Sequence, residues 1–219
     1  MTEQMQESSQ ALWNKKTADW YVKHFGDCPV HHEIVGICRP TQHDCILDIG
    51  CGSGTVLGEF AKAVPHGRIV GIDPTPRMIE LATQSLVDTQ PLPELYTAGS
   101  ELIPLEHQTV DLAIAVSTFH HWQNVSEGLA EIKRVLKPGG RFVIIDENWD
   151  EMDFKNSEAF QELEFTEEQQ SQSNQLLKDP VEITRILQEA HFDSVISSVF
   201  RKHDLVLNIF EAKLATSSA

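Results

Sequence analysis

The sequence predicts an α/β fold in which a doubly wound, mostly parallel sheet carries helices on both faces. Two observations predict it. From residue 45 to residue 146, short apolar runs of strand length alternate with stretches of helical period, and the connections are short. That is the pattern of βαβ units. The first run ends in alternating glycines, Gly50, Gly52 and Gly54, at the place where an open parallel sheet receives its ligand.

The elements follow in order. Residues 8–38 are predicted helical, because Trp13, Ala18, Tyr21, Val22 and Phe25 recur at helical spacing. Residues 45–49 (CILDI) change period and suit a strand buried on both faces. A helix is expected over 55–64, closed by Pro65-His66-Gly67, and a second strand over 68–73. Residues 77–87 read as a helix with Met78, Leu81, Ala82, Ser85 and Leu86 on one side. Strands are expected at 94–97 and 110–116, and a helix at 125–136. Lys137-Pro138-Gly139-Gly140 reads as a stop and turn before a fifth strand at 141–146. Residues 150–178 are rich in Glu, Gln and Ser and are expected to form an exposed insertion or flap. A helix at 180–190 and two strands at 195–200 and 205–210, turning at 201–204, close the chain. His191 is expected to take a left-handed cap conformation after that last helix. The expected organisation is a helical lid over residues 1–40 and one ligand-binding domain over 41–219.

Composition narrows the function. The 219 residues suit one domain, and their net charge of −16, from 17 Lys and Arg against 33 Asp and Glu, repels phosphate backbones. No basic block offsets this, so no nucleic-acid partner is expected. Residues 1–16 are polar, and no run approaches the ~18 apolar residues that span a bilayer, so no membrane partner is expected either. The four cysteines, Cys28, Cys38, Cys45 and Cys51, form no CxxC pair and point to free thiols in a reduced, cytoplasmic protein, monomer or homodimer. Cys28, His31, His32 and Cys38 match no zinc spacing, and no metal is expected.

A ligand approaches after the first strand, and the glycine count says which ones fail. A dinucleotide fingerprint, G-x-G-x-x-G, needs glycine where this chain has Thr55 or Leu57, depending on the starting glycine. No G-x-x-x-x-G-K-[ST] sequence is present for a nucleoside triphosphate.

The segment ILDIGCGSG (46–54) resembles the first motif of the class I S-adenosylmethionine-dependent methyltransferases of the small-molecule type, and VGIDPTPRMIELA (70–82) resembles their second. The similarity continues through AVSTFHHW (115–122) to EIKRVLKPGGRFVIID (131–146). It implies the Rossmann-like methyltransferase fold, a seven-stranded sheet with an antiparallel C-terminal strand, and S-adenosylmethionine as cofactor.

The resemblance also implies roles. Asp48 faces the methionine ammonium, and the backbone from Gly50 through Cys51 and Gly52 to Gly54 runs past the methionine and ribose. Asp73 accepts from the ribose hydroxyls with Pro74 beside it, although an aspartate there also suits a helix cap. Met78 packs on adenine or in the core. The acidic residue that the family often carries after its third strand falls on Gly99, leaving Ser100 and Glu101 as substitutes. Ser117 is expected to touch the cofactor. His120 and His121 follow the fourth strand, where either can serve as the base for a small organic acceptor at oxygen or nitrogen, with at least one of the pair expected to be structural. Trp13, Trp20 and Tyr21 are expected in the lid. The alternative function is a non-catalytic module that binds S-adenosylmethionine for regulation.

Overall fold

The structure, a computed structural model, describes residues 13–148, 151 and 179–216. Seven strands form one sheet in the order β3-β2-β1-β4-β5-β7-β6. They are β1 (Cys45–Ile49), β2 (Arg68–Asp73), β3 (Glu94–Thr97), β4 (Val110–Val116), β5 (Leu136–Glu147), β6 (Ser194–Lys202) and β7 (Leu205–Lys213). The first five run parallel, and β7 is antiparallel to both of its neighbours. The expected doubly wound fold with an antiparallel C-terminal strand is the one observed.

Strand alternation divides the core into two layers, since successive side chains point to opposite faces. Leu47, Val70, Ala113 and Ile144 face one side, where Leu129, Ile132 and Val135 of α5 (Val125–Val135) and Ile183 and Leu187 of α6 (Pro180–Glu189) cover them. Their neighbours Ile46, Ile69, Leu112 and Val143 face the other side. There α2 (Ile34–Cys38) contributes Ile34 and Cys38, α3 (Thr55–Ala63) contributes Leu57 and Phe60, and α4 (Pro76–Ser85) contributes Ala82. All five residues of β1 are buried, as a central parallel strand requires.

Three boundaries differ from the sequence expectation. The N-terminal helical stretch breaks into α1 (Lys15–Phe25), a 3₁₀ turn at Pro29–His32 and α2, while residues 8–12 lie outside the described residues. Gly26 and Pro29 explain the break, because proline removes a backbone donor and fixes its own φ. Asn14 caps α1, its side chain accepting from the Thr17 amide at 3.0 Å. Lys137–Gly140 is not a separate turn: it lies inside β5 as a bulge, where pairing shifts between Val110↔Leu136 and Leu112↔Arg141. Gly139 takes φ +78° there, and its amide donates to the carbonyls of Leu214 and Ala215, which holds the irregular stretch against the chain end. The C-terminal strands run longer than expected, and their turn shrinks to His203-Asp204, with His203 at φ +53°. His191 has φ +60°, as its position after α6 suggested. Apart from Glu151, the segment expected to be a flap lies outside the described residues. Among the described residues no helix is long and apolar enough to cross a membrane.

Candidate active site

In this sheet β1 lies between β2 and β4, so the chain departs in opposite directions from the two sides of the β1/β4 pair. The carboxyl ends of these strands therefore open a crevice. Gly50, Gly52 and Gly54 cross its floor in the left-handed region, at φ +76°, +53° and +87°. The amides of Gly50 and Cys51 both donate to the Ile72 carbonyl, at 2.8 and 3.0 Å, which ties the loop to β2. A Cβ at Gly50 would lie 2.2 Å from Thr118 Oγ1, and one at Gly54 would lie 2.6 Å from Leu86 Cδ1. A Cβ at Gly52 would meet nothing within 4 Å. Packing therefore demands the outer two glycines, while the middle one keeps a space open.

Two buried carboxylates flank that space. Asp73, at the end of β2, is 7% exposed. Its Oδ2 accepts from the Gly52 amide at 3.0 Å and its Oδ1 from the Thr75 amide at 2.8 Å. Burial pushes its carboxyl up to about 6, against the lowering effect of the Thr75 and Gly52 amides. Asp48, in β1, is 2% exposed and pushed up to about 8, first by burial and then by the charge of Asp73. A carboxylate held this way favours a positively charged ligand, which recovers the solvation that burial removed.

The crevice opens into a cleft. It gathers Asp48, Gly50, Cys51, Gly52, Asp73, Pro74, Met78, Ser117 and His121 from the residues singled out in sequence. Among the described residues no Lys or Arg lines it. Gly54, Ser100, Glu101 and His120 stand elsewhere. Gly54 is wedged against Leu86 and Ala82. Ser100 is buried with its Oγ beside Gly128 of α5. Glu101 Oε1 accepts from the Asn124 amide at 3.2 Å and so ties its loop to the start of α5.

The two histidines part company for a local reason. Phe119–His121 form a 3₁₀ turn, in which successive side chains are about a third of a revolution apart. His121 lines the cleft. His120 turns inward, is 4% exposed, and places Nδ1 2.6 Å from Asp146 Oδ2 at the end of β5. A carboxylate only accepts, so His120 donates through Nδ1–H. The two rings lie 4.1 Å apart between centroids.

The N-terminal segment roofs the cleft with Trp13, Tyr21, Gly26 and His31. Trp13 meets Tyr21 edge-on at 4.7 Å and His121 at 6.2 Å. The segment is pinned twice: Thr55 Oγ1 donates to the Gly26 carbonyl at 2.5 Å, and Arg77 Nε donates to Asp19 Oδ1 at 2.8 Å. Trp20 packs on His24 and Phe25 and does not line the cleft.

Sequence reasoning missed Thr118, Thr75, His31 and Glu147. The first two adjoin singled-out residues, and proximity was the available signal. His31 was weighed only as a zinc ligand, and topology alone carries it over the cleft. Glu147 follows Asp146 after the apolar run of β5, so its place at a carboxyl strand end was readable. Its Oε1 accepts from Ser117 Oγ at 2.8 Å, and Ser117 itself sits at φ +52°.

Comparison with known proteins decides what kind of domain this is. Residues 47–144 match the family model described as "Methyltransferase domain". Over these residues the chain is similar to the class I S-adenosylmethionine-dependent methyltransferases. A relative is an uncharacterized 37.1 kDa transposon protein of Streptomyces fradiae, 40% identical over 107 residues, covering 48% of this chain and 31% of that protein. Another is the ubiquinone/menaquinone biosynthesis C-methyltransferase of Syntrophotalea carbinolica, 34% identical over 101 residues, covering 46% and 43%. The chain thus matches less than half the length of these curated relatives. Among solved structures, a SAM-dependent methyltransferase from Aquifex aeolicus superposes with a TM-score of 0.67 at 19% identity, covering 93% of this chain and 100% of that one. The methyltransferase domain therefore contains the glycine loop, both buried carboxylates and the His120–Asp146 pair's histidine, with Asp146 just beyond the matched residues.

Proposed function

We propose that the protein binds S-adenosylmethionine in this cleft and transfers its methyl group to a small organic acceptor at nitrogen or oxygen. The observation that carries the reading is the pair Asp48 and Asp73, both buried, flanking the open space at Gly52 in a cleft with no Lys or Arg among its described residues. The cofactor is a cation at its ammonium and its sulfonium, and the site is built to take positive charge. Asp73 accepts from one backbone amide through each oxygen and also bonds the Thr75 hydroxyl, and the acceptor capacity that remains suits the ribose hydroxyls. Met78, 3% exposed yet lining the cleft, serves core and ligand at once. Bound S-adenosylmethionine supplies an electrophilic methyl carbon.

The residues of the chain do the rest. Trp13 and Tyr21 roof the cleft and exclude water, which strengthens every polar contact inside it. His121 takes the acceptor's proton. His120 is a positioning residue that Asp146 holds against the His121 ring. The reading extends to a cytoplasmic protein without nucleic-acid or membrane partners, supported by the charge of −16 and the four free cysteines.

Calorimetry with S-adenosylmethionine, followed by transfer of a labelled methyl group to a panel of amines, phenols and alcohols, tests it. Binding with transfer supports it. Binding without transfer to any acceptor favours a regulatory module, and no binding overturns it.

A further inference from the structure

Ser117 stands just after β4 in the left-handed region, at φ +52°. A residue with a side chain gives up roughly 5–30-fold in population to stand there, and it does so only where its surroundings hold it. Two bonds hold this one. Its amide donates to the Ile145 carbonyl at 2.8 Å, in register with β5, and its Oγ donates to Glu147 Oε1 at 2.8 Å.

The bend at Ser117 decides where the next residues go. Thr118 follows, and its side chain fills the space that a Cβ at Gly50 would need. The Thr118 carbonyl accepts from the His121 amide at 2.9 Å and so opens the 3₁₀ turn. Val116, Ser117, Thr118 and His121 all line the cleft. One corner therefore sets both the wall beside the glycine loop and the candidate base.

Glu147 is not among the residues that line the cleft, so its effect on a ligand passes through its partners. Its carboxyl bonds that of Asp146 as well as the Ser117 hydroxyl. Two carboxyls bond only while one of them keeps a proton. Asp146 already accepts from His120 Nδ1–H, whereas burial and the charge of Asp146 push Glu147 up to about 7. The proton therefore sits on Glu147, which accepts from Ser117 and donates to Asp146. Ser117 and His120, on the two sides of Thr118, are thus tied to adjacent residues at the end of β5.

We propose that Glu147 is a positioning residue which, through Ser117, holds the left-handed corner that sets Thr118 against the glycine loop and His121 in the cleft. The inference rests on the reading that the cleft holds S-adenosylmethionine, and it adds a residue that acts without touching the ligand.

The test uses the full chain, with S-adenosylhomocysteine as the probe in calorimetry and with thermal scans in the absence of ligand. Ser117→Ala and Ser117→Gly lack the same hydroxyl and differ in how readily they take φ +52°. Ser117→Gly should therefore bind the probe at least fivefold more tightly than Ser117→Ala and melt at a higher temperature. Glu147→Ala should weaken the probe at least fivefold, and adding Ser117→Gly to it should recover most of that loss. Glu147→Gln, which keeps an acceptor for Ser117 and a donor for Asp146, should bind at least threefold more tightly than Glu147→Ala. Equal affinities of the two Ser117 variants overturn the proposal, as does a Glu147→Ala variant that binds like wild type or whose loss Ser117→Gly leaves untouched. If the wild-type chain binds no S-adenosylhomocysteine, the cofactor reading fails instead, and the melting order of the Ser117 variants still decides whether the corner needs its clamp.

Discussion

The buried carboxylates make cofactor affinity a function of pH in a range well above that of an ordinary surface carboxylate. Asp48 is pushed up to about 8 and Asp73 to about 6, so in the free protein both hold protons at pH values where exposed carboxylates do not. A cationic ligand binds the ionised forms, and the apparent dissociation constant carries a factor of one plus the ratio of protonated to ionised carboxyl. Between pH 7.5 and 5.5 that factor rises roughly a hundredfold for Asp48 and about fourfold for Asp73, since each pKa unit is worth ~1.4 kcal/mol. Affinity for S-adenosylmethionine should therefore fall steeply on acidification, and binding at pH 6.5 should release protons. Calorimetry in two buffers of different ionisation enthalpy measures both quantities in one series. Above pH ~7.7 the ligand's own α-amino group titrates, so the informative window lies below it. Asp48→Asn should leave only the shallow Asp73 dependence. A flat affinity from pH 5.5 to 7.5, or proton uptake on binding, would refute the argument.

Replacing Asp73 with Ala should weaken S-adenosylmethionine more than tenfold, from the ~1.5–3 kcal/mol typical of charge-assisted hydrogen bonds, as read by calorimetry. Gly52→Ala should lower Tm only by the strain of its left-handed φ, since its Cβ meets no atom, yet weaken cofactor binding by entering the cleft's open space. Gly50→Ala, whose Cβ would collide with Thr118, should lower Tm by several degrees; equal Tm values for the two variants would contradict the division of roles. His120→Ala should lower stability by about 3–5 kcal/mol in urea unfolding, because it takes the imidazole from the buried Asp146 carboxylate, whereas His121→Ala should change stability little and depress methyl transfer. The free protein should lose stability as pH rises from about 4 through 8, since the folded state holds the protons of Asp48, Asp73 and Glu147 longer than the unfolded chain does; thermal scans across that range without added ligand show the trend or its absence.

Much of this protein is determined within short stretches of its chain. Strand periods in CILDI, RIVGID and VDLAIAV place three central strands to the residue, because a buried parallel strand must be continuously apolar whatever surrounds it. The glycines of the first loop and Asp73 are equally local, because a left-handed turn and a strand-end carboxylate follow from residues a few positions apart. The bulge inside β5 was not readable, because Pro-Gly-Gly looks like a turn until Val110 and Leu136 pair across the sheet. The division of the histidines was not readable either. Only the rotation of a 3₁₀ turn against the end of β5 sends His120 to Asp146 and leaves His121 in the cleft. Glu147 shows the limit most plainly. Its position at a strand end is local, but its burial depends on Ser117, just after β4, and on Tyr21, Cys28 and His31 from the N-terminal segment. Those residues lie 30 or more positions away along the chain, and burial by distant segments is the one property that no local pattern encodes.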